Sequence, residues 1–416
     1  MSIPASQKGL PVHAPMDQFD VVDNCLVIGG KPLTTLAREI GSTPFYAYDS
    51  AVISKRLAEL RAALPAALHL HYAVKANPMP AVVAFLADRT DGLDVASAGE
   101  LALALATGTD PCQISFAGPG KSGHDLTAAV ESGVLICMES EGEMRRIAEL
   151  ALAGDRRPPV AIRVNPDFEL KTSGMKMGGG AKPFGVDAER VPAMLAQLQG
   201  MPLEFVGFQI FSGSQNLRPD AIVEAQIKTF ELAFKLAAAA PSPVRWLNIG
   251  GGFGVPCFPG EAPLELGAIA DNLATLVTET GNRLPEAEIV LELGRYLVAE
   301  AGIYVCEIVD KKVSRGETFL VTNGGLHHHL AASGNFGQVI RKNYPVCIGN
   351  RVKAPELETV SVVGPLCTPL DILADSMALP PADVGDLVVV FQSGAYGYSA
   401  SPRDFLGHPH PLEIML

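Results

Sequence analysis

Eight short apolar runs, each followed by a longer amphipathic stretch, recur between residues 71 and 293. They are HYAVK (71–75), GLDVAS (92–97), QISFAG (113–118), VLICMES (134–140), VAIRVN (160–165), FVGFQIF (205–211), RWLNIG (245–250) and EIVLEL (288–293). Alternation of strand and helix predicts a parallel sheet, and eight repeats predict a closed (β/α)8 barrel of the TIM type. An open, doubly wound sheet is the alternative that the same periodicity allows.

The pattern changes after about residue 300, where Val-rich runs are joined by turns instead of helices. The runs are VCEIVDKKV, TFLVTNGG, TVSVVGPL and LVVVFQSGAY. They predict a second, mostly antiparallel β domain. We therefore expect an N-terminal arm and strand that joins the β domain (1–42), a barrel (43–298) and a C-terminal β domain (299–416).

Composition narrows the classes of partner. The chain has 416 residues and a formal net charge of −13, which argues against nucleic acid or an anionic membrane as a general partner. Its seven cysteines show no CxxC spacing, and no apolar stretch approaches 18 residues, so we expect a cytoplasmic protein without a membrane span. The tract His327-His328-His329 lacks the carboxylate or Cys pattern that accompanies metal sites, so we expect no metal.

Polar residues mark the C-terminal ends of the predicted strands, where barrels carry their catalytic groups. Lys75 ends the first strand, Asp94 lies in the second, Ser214 follows the sixth, Gly250–Gly252 follow the seventh and Glu292 ends the eighth. Desolvation at such a place lowers the pKa of a lysine amine, as Schiff-base chemistry requires. A strand-end lysine that extends its ammonium into water is the structural alternative.

Two glycine-containing segments are candidates for holding a phosphate. Three glycines in LNIGGGFG (247–254) follow a strand, where backbone N–H groups can approach an anion, although a flexible turn needs no ligand. In ELGRYLVAE (292–300), Gly294 and Arg295 open a helix whose N-terminus favours phosphate. Glu292 can pair with a protonated pyridine nitrogen of pyridoxal 5′-phosphate (PLP). Alternatively, it is an acidic residue that the dipole of the following helix favours at its N-terminus.

Three further segments carry unusual residues. Cys367 lies in the turn GPLCTPLD and Tyr396 in the Gly-rich turn QSGAYGYSA, neither of which is typical of a core strand. The segment from Lys171 to Phe184 is too rich in glycine for regular structure. It is either a surface loop or a lid over the barrel mouth.

The motifs YAVKAN, LDVAS, GSQ, IGGGFG, ELGR, VGPLC and GAYG, in this order, resemble the fold-type III PLP decarboxylases. That family includes diaminopimelate, ornithine and arginine decarboxylases, and its β domain is of the alanine racemase C-terminal type. The phrases GMKMGGG, FSGSQN and FLGHPHPLEIML resemble a bacterial subgroup within it. Its members are associated with exosortase clusters or act on aminoacyl groups tethered to a carrier protein.

The resemblance implies a set of roles. Lys75 would form an aldimine with PLP, and decarboxylation of an α-amino acid would pass through a quinonoid intermediate. The implied cofactor contacts are Lys75, Asp94, Phe211, Ser214, Gly250, Gly251, Gly252, Glu292, Gly294, Arg295 and Tyr396. The implied substrate contacts are Arg295, Arg341, Tyr344, Thr368 and Tyr396. Cys367 would be catalytic and would come from the partner subunit of a homodimer with shared active sites.

Two positions depart from the family pattern. Phe211 stands where a histidine usually stacks on the PLP ring, and it can stack but cannot carry charge. Thr368, followed by Pro369, stands where an acidic residue usually receives the distal ammonium of the substrate. Catalysis is therefore expected to be retained and substrate recognition altered, with free and carrier-tethered substrates both open.

Two other functions share this pattern. An amino-acid racemase of the same fold would, by resemblance, place an arginine at the pyridine nitrogen, so Glu292 favours decarboxylation. A catalytically dead regulatory homologue would have no need to retain both Lys75 and Cys367.

Overall fold

The computed structural model describes residues 11–169, 175–176 and 178–416. The described chain forms two compact units. We call residues 56–254 and 264–297 the barrel unit, and residues up to Lys55, 255–263 and 298–416 the β unit.

The barrel unit contains eight parallel strands in one closed ring. In chain order they are Leu68–Ala73, Gly92–Val95, Ile114–Phe116, Leu135–Met138, Pro159–Asn165, Glu204–Ile210, Trp246–Gly251 and Glu288–Leu293. Each pairs with the next, and the eighth pairs with the first, which closes the ring. The predicted barrel is thus confirmed, and the open sheet is excluded.

Helices separate these strands, as the amphipathic stretches predict, and one further helix lies at each end of the barrel segment. Their bounds are Ser50–Ala63, Pro80–Ala87, Ala98–Ala106, Gly123–Ser132, Glu141–Ala153, Val191–Leu198, Pro219–Ala237, Gly267–Arg283 and Arg295–Val298. Serine N-caps begin three of them, because the side chains of Ser97, Ser122 and Ser140 accept hydrogen bonds from backbone N–H groups three residues on. Among the described residues, no helix combines the length and apolar character that a membrane crossing requires.

The β unit is built on a mostly antiparallel sheet, as predicted. Its strands are Phe45–Tyr48, Gly302–Ser314, Glu317–Thr322, Val346–Ile348, Glu358–Val363, Ile372–Leu379, Leu387–Val390 and Leu412–Met415. Gly302–Ser314 is the central strand and pairs antiparallel with Phe45–Tyr48, Glu317–Thr322 and Leu387–Val390. The α-helix Leu33–Ile40 also belongs to this unit.

The N-terminal segment belongs to the β unit, and its short strands pair with one another. The strands Val21–Val22, Cys25–Ile28 and Lys31–Pro32 form a three-stranded sheet of their own, while Leu26 and Ile28 pack into the core of the β unit. The strand that enters the main sheet is Phe45–Tyr48, which lies within the segment 43–298 expected to form the barrel. All four of its residues are buried, because it is flanked by strands on both sides.

Candidate active site

Lys75 lies just beyond the first barrel strand, which ends at Ala73, so it does not end the strand itself. It occupies a 3-10 turn, Val74–Ala76, whose other two residues are buried. The lysine side chain is 45% exposed, and its Nζ lies 3.1 Å from Glu292 Oε1. Its Nζ also lies 6.0 Å from the centroid of the Phe211 ring. The amine therefore faces a carboxylate and an aromatic face.

Glu292 is the next-to-last residue of the eighth strand and is buried. Its Oε2 accepts hydrogen bonds from Gln209 Nε2 at 2.9 Å and Asn248 Nδ2 at 3.3 Å. Burial raises the pKa of Glu292, but the charge and hydrogen bond of Lys75, with the charge of Arg163, lower it, and the net shift is downward. The carboxylate is thus held ionised and oriented by three donors.

Asp94 is buried in the second strand and pairs in register with Ala73, two residues before Lys75. Its Oδ1 accepts a hydrogen bond from the Ser115 hydroxyl and lies 3.5 Å from His71 Nδ1. Burial, followed by the charge of Glu292, raises the pKa of Asp94. Two carboxylates in one barrel thus have pKa values shifted in opposite directions.

The glycines after the seventh strand lie partly within it, since the strand extends through Gly251. Gly250 and Gly252 have φ of +68° and +78°, which L side chains rarely adopt. A Cβ on Gly250 would lie 2.5 Å from the Phe211 ring. Ser214 Oγ is buried and has no hydrogen-bond partner among the described residues. An orphaned donor beside a glycine turn fits a phosphate.

Gly294 and Arg295 follow the eighth strand, as predicted. The helix they open, Arg295–Val298, has only four residues. A Cβ on Gly294 would lie 2.9 Å from Ala76 Cβ, so this turn packs closely on the turn that carries Lys75.

The remaining predicted site residues lie in the β unit. Cys367 is an exposed free thiol, and Thr368 beside it is half-buried. Tyr396 has φ of +54° between Gly394 and Gly397, a strained conformation that is enriched at functional sites.

The predicted substrate residues Arg341 and Tyr344 are engaged within the β unit. Arg341 Nη1 donates to the carbonyls of Ser333 at 2.9 Å and Ile372 at 3.0 Å. Tyr344 is 4% exposed, and its ring lies 5.6 Å from that of Phe258. Their substrate role stays a prediction.

The Gly-rich segment from Lys171 to Phe184 falls partly outside the described residues. Its strand Met175–Lys176 pairs with Gly213–Ser214, and Gly178 N donates to Ser212 O at 3.2 Å. The described part of the segment is thus hydrogen-bonded to the backbone around Ser214.

In the part of the chain that the structure describes, no group of three or more His, Cys, Asp or Glu is placed to hold an ion. Burial lowers the pKa of His327 to about 4 and that of His328 and His329 to about 3. These three side chains are neutral imidazoles in the interior of the β unit.

Sequence reasoning missed the polar residues inside the barrel strands. They are His71, Ser115, Arg163, Gln209 and Asn248, each in an otherwise apolar run and each buried. The signal was a polar side chain at an inward position of a buried strand, where packing alone favours Val, Ile or Leu.

Comparison with known proteins identifies the family of the chain. Residues 50–299 match the family described as pyridoxal-dependent decarboxylase, pyridoxal binding domain. The L-glutamyl-[BtrI acyl-carrier protein] decarboxylase of Niallia circulans is 39% identical over 389 residues, covering 92% of this chain and 90% of that protein. The diaminopimelate decarboxylase of Aquifex aeolicus is 33% identical, covering 95% of this chain and 91% of that protein.

A solved structure shows the same fold. The diaminopimelate decarboxylase of Helicobacter pylori, complexed with L-lysine, aligns with a TM-score of 0.81 at 27% identity, covering 92% of this chain and 94% of that chain. The site residues fit PLP, because they offer an amine, a buried ionised carboxylate and an orphaned hydroxyl beside a glycine turn. The chain therefore belongs to the pyridoxal-dependent decarboxylases, and its cofactor is PLP.

Proposed function

We propose that Lys75 carries PLP and that Glu292 keeps the pyridine nitrogen protonated. The observation that carries the proposal is the 3.1 Å contact between Lys75 Nζ and Glu292 Oε1, with Gln209 and Asn248 fixing the other carboxylate oxygen. Bound PLP supplies an electron sink for the pair released when the carboxylate leaves. Glu292 favours that sink because an ionised carboxylate stabilises a positive charge on the ring nitrogen.

The other contacts follow from position. The phosphate would be bound by Ser214, the glycines at 250–252, Gly294 with Arg295, and Tyr396. Asp94 would lie close to Lys75. Phe211 would cover one face of the ring, since it already faces Lys75 Nζ.

Cys367 would donate the proton that replaces the carboxylate, and it would do so from the partner subunit of a homodimer. Support comes from its exposed thiol in a turn held by Asp371, whose Oδ2 accepts a hydrogen bond from Leu366 N at 2.8 Å. A rigid turn presents a proton donor in one orientation.

The substrate would be an α-amino acid whose far end carries no free ammonium, such as an aminoacyl group tethered to a carrier protein. Thr368 offers a hydroxyl and no charge beside Cys367, and the Niallia circulans relative is named for a carrier-bound glutamyl group. Arg341, Tyr344, Arg295 and Tyr396 would contact this substrate. We place the enzyme in the cytoplasm, where free thiols persist.

Chemical trapping tests the cofactor assignment. Reduction of the purified holoenzyme with borohydride should fix the mass of reduced PLP to the peptide that contains Lys75. Lys121 is the internal comparison, because it is a buried lysine whose Nζ forms an ion pair with Glu143 Oε1 at 2.7 Å. It should stay unlabelled. Label on any lysine other than Lys75 would contradict the assignment.

A further inference from the structure

A buried histidine lies beside two carboxylates inside the barrel. His71 is 3% exposed, and its Nδ1 lies 3.5 Å from Asp94 Oδ1. In the parallel ladder, the register partner of His71 is Glu292 on one side and Gly92 on the other. Register partners on adjacent strands project to the same face, so the imidazole lies between Glu292 and the strand that carries Asp94.

Gly92 makes the room for this imidazole. A Cβ on Gly92 would lie 2.4 Å from His71 Nε2, closer than any side chain can approach. The ring therefore occupies the space that a side chain at position 92 would fill. Asp94 is two residues further along the same strand and on the same face, and this is where the histidine meets it.

Charge gives the histidine a function. Lys75 is paired with Glu292. Asp94 differs: its Oδ1 accepts a hydrogen bond from the neutral hydroxyl of Ser115, and its Oδ2 has no hydrogen-bond partner among the described residues. Two buried like charges disfavour one another unless a cation offsets them.

The groups that face His71 act on its proton in opposite directions. Burial lowers the pKa of His71, but Asp94, and then Glu288 and Glu292 on the eighth strand, raise it, and the net shift is upward. The cation Lys75 is paired with Glu292. A proton on the imidazole is therefore favoured by three carboxylates.

We propose that His71 is a positioning residue which, as an imidazolium, neutralises Asp94 so that Glu292 stays ionised. The inference rests on the role proposed for Glu292. Without the imidazolium, the charge of Asp94 disfavours the charge on Glu292. The ionised carboxylate at the pyridine nitrogen is then weakened.

His71→Gln tests this, because glutamine retains size and polarity but cannot be charged. We expect kcat to fall about tenfold with KM within about twofold, the size of coupling that contacting charged groups typically show. Wild-type kcat should fall as pH rises through a pKa above 6.5, and this limb should be absent in His71→Gln. In an Asp94→Asn background, the same substitution should change kcat by less than about twofold, since no carboxylate is left to neutralise.

His69→Gln is the matched control. It lies on the same strand and also pairs with a carboxylate, Glu288, at 2.9 Å, but its side chain is 41% exposed. Its pH profile should match the wild type. A His71→Gln enzyme that retains the alkaline limb, or that loses activity equally with Asp or Asn at position 94, would overturn the proposal.

A spectroscopic measurement needs no His71 variant to fold. In 13C-histidine NMR of the wild-type holoenzyme, one imidazole should titrate above pH 6.5, and Asp94→Asn should shift that titration downward. If the signal is unmoved by Asp94→Asn, the pairing is refuted whatever the activity of a Glu292 variant shows.

Discussion

At the scale of single residues, the central feature is a buried carboxylate that the fold keeps charged. Glu292 is 7% exposed and receives donors from Lys75, Gln209 and Asn248. A buried carboxylate contributes little net stability, because the cost of its desolvation offsets the attraction of its partner. The arrangement is therefore better explained by the chemistry that an ionised carboxylate performs than by a need for stability.

Glu292→Gln separates that chemistry from cofactor binding. Glutamine retains the size and the hydrogen bonding but cannot stabilise a protonated ring nitrogen, so PLP should stay bound while kcat falls by about two to four orders of magnitude. Absorbance reports cofactor content, and CO2 release reports turnover. Glu286→Gln, exposed and outside the strand, should behave as wild type. A Glu292→Gln enzyme of normal activity would remove the electron-sink argument.

The residues that sequence could and could not predict differ in their surroundings. Lys75 and Glu292 stand near strand ends within recognisable motifs, so the sequence alone indicates both as candidates. The residues that the sequence did not indicate lie inside strands whose two faces are both buried. One face packs against the helices and the other lines the barrel interior, and these residues are His71, Gln209 and Asn248. The alternation of residues along a strand cannot distinguish two faces that are both buried. The residues that point into the barrel interior can therefore be identified only from the closed ring.

At the scale of elements, local patterns predicted the barrel well because each strand pairs with the next one along the chain. The strand Phe45–Tyr48 shows the limit of such patterns. Its partners are Gly302–Ser314 and Leu412–Met415, more than 250 residues away, and no local periodicity reports that pairing. Its four buried residues fit either sheet equally well.

The turn after the seventh strand should be sensitive to one methyl group. Gly250→Ala places a Cβ 2.5 Å from the Phe211 ring at a φ of +68°, so the ring and the turn at 250–252 must move. PLP affinity, measured by cofactor titration of the apoenzyme, should fall at least about tenfold.

Gly133→Ala is the control, because its φ is +77° and a Cβ would meet nothing within 4 Å. It should cost about 1 kcal/mol of stability and leave PLP affinity unchanged. Equal PLP affinity in both variants would contradict the phosphate role.

At the scale of the molecule, the predicted site residues divide between two units. Lys75 and Glu292 belong to the barrel unit, and Cys367 belongs to the β unit.

If the active sites are shared between the subunits of a homodimer, mixed subunits should behave in a specific way. Lys75→Ala and Cys367→Ala proteins should each be inactive, and after subunit exchange they should recover up to about a quarter of wild-type activity, since half the dimers carry one intact site. No recovery after verified exchange would place both residues in one chain's site.

The most direct measurement is CO2 release from carrier-bound glutamyl groups compared with free meso-diaminopimelate, ornithine and lysine. A buried ammonium facing Thr368 would lack a charged partner, which typically costs about 2–5 kcal/mol. Hence kcat/KM for the free diamino acids should be roughly 30-fold to several-thousand-fold lower. Thr368→Glu should narrow that gap by restoring a carboxylate. Efficient turnover of free meso-diaminopimelate by the wild-type enzyme, at or above the rate with carrier-bound groups, would contradict the account.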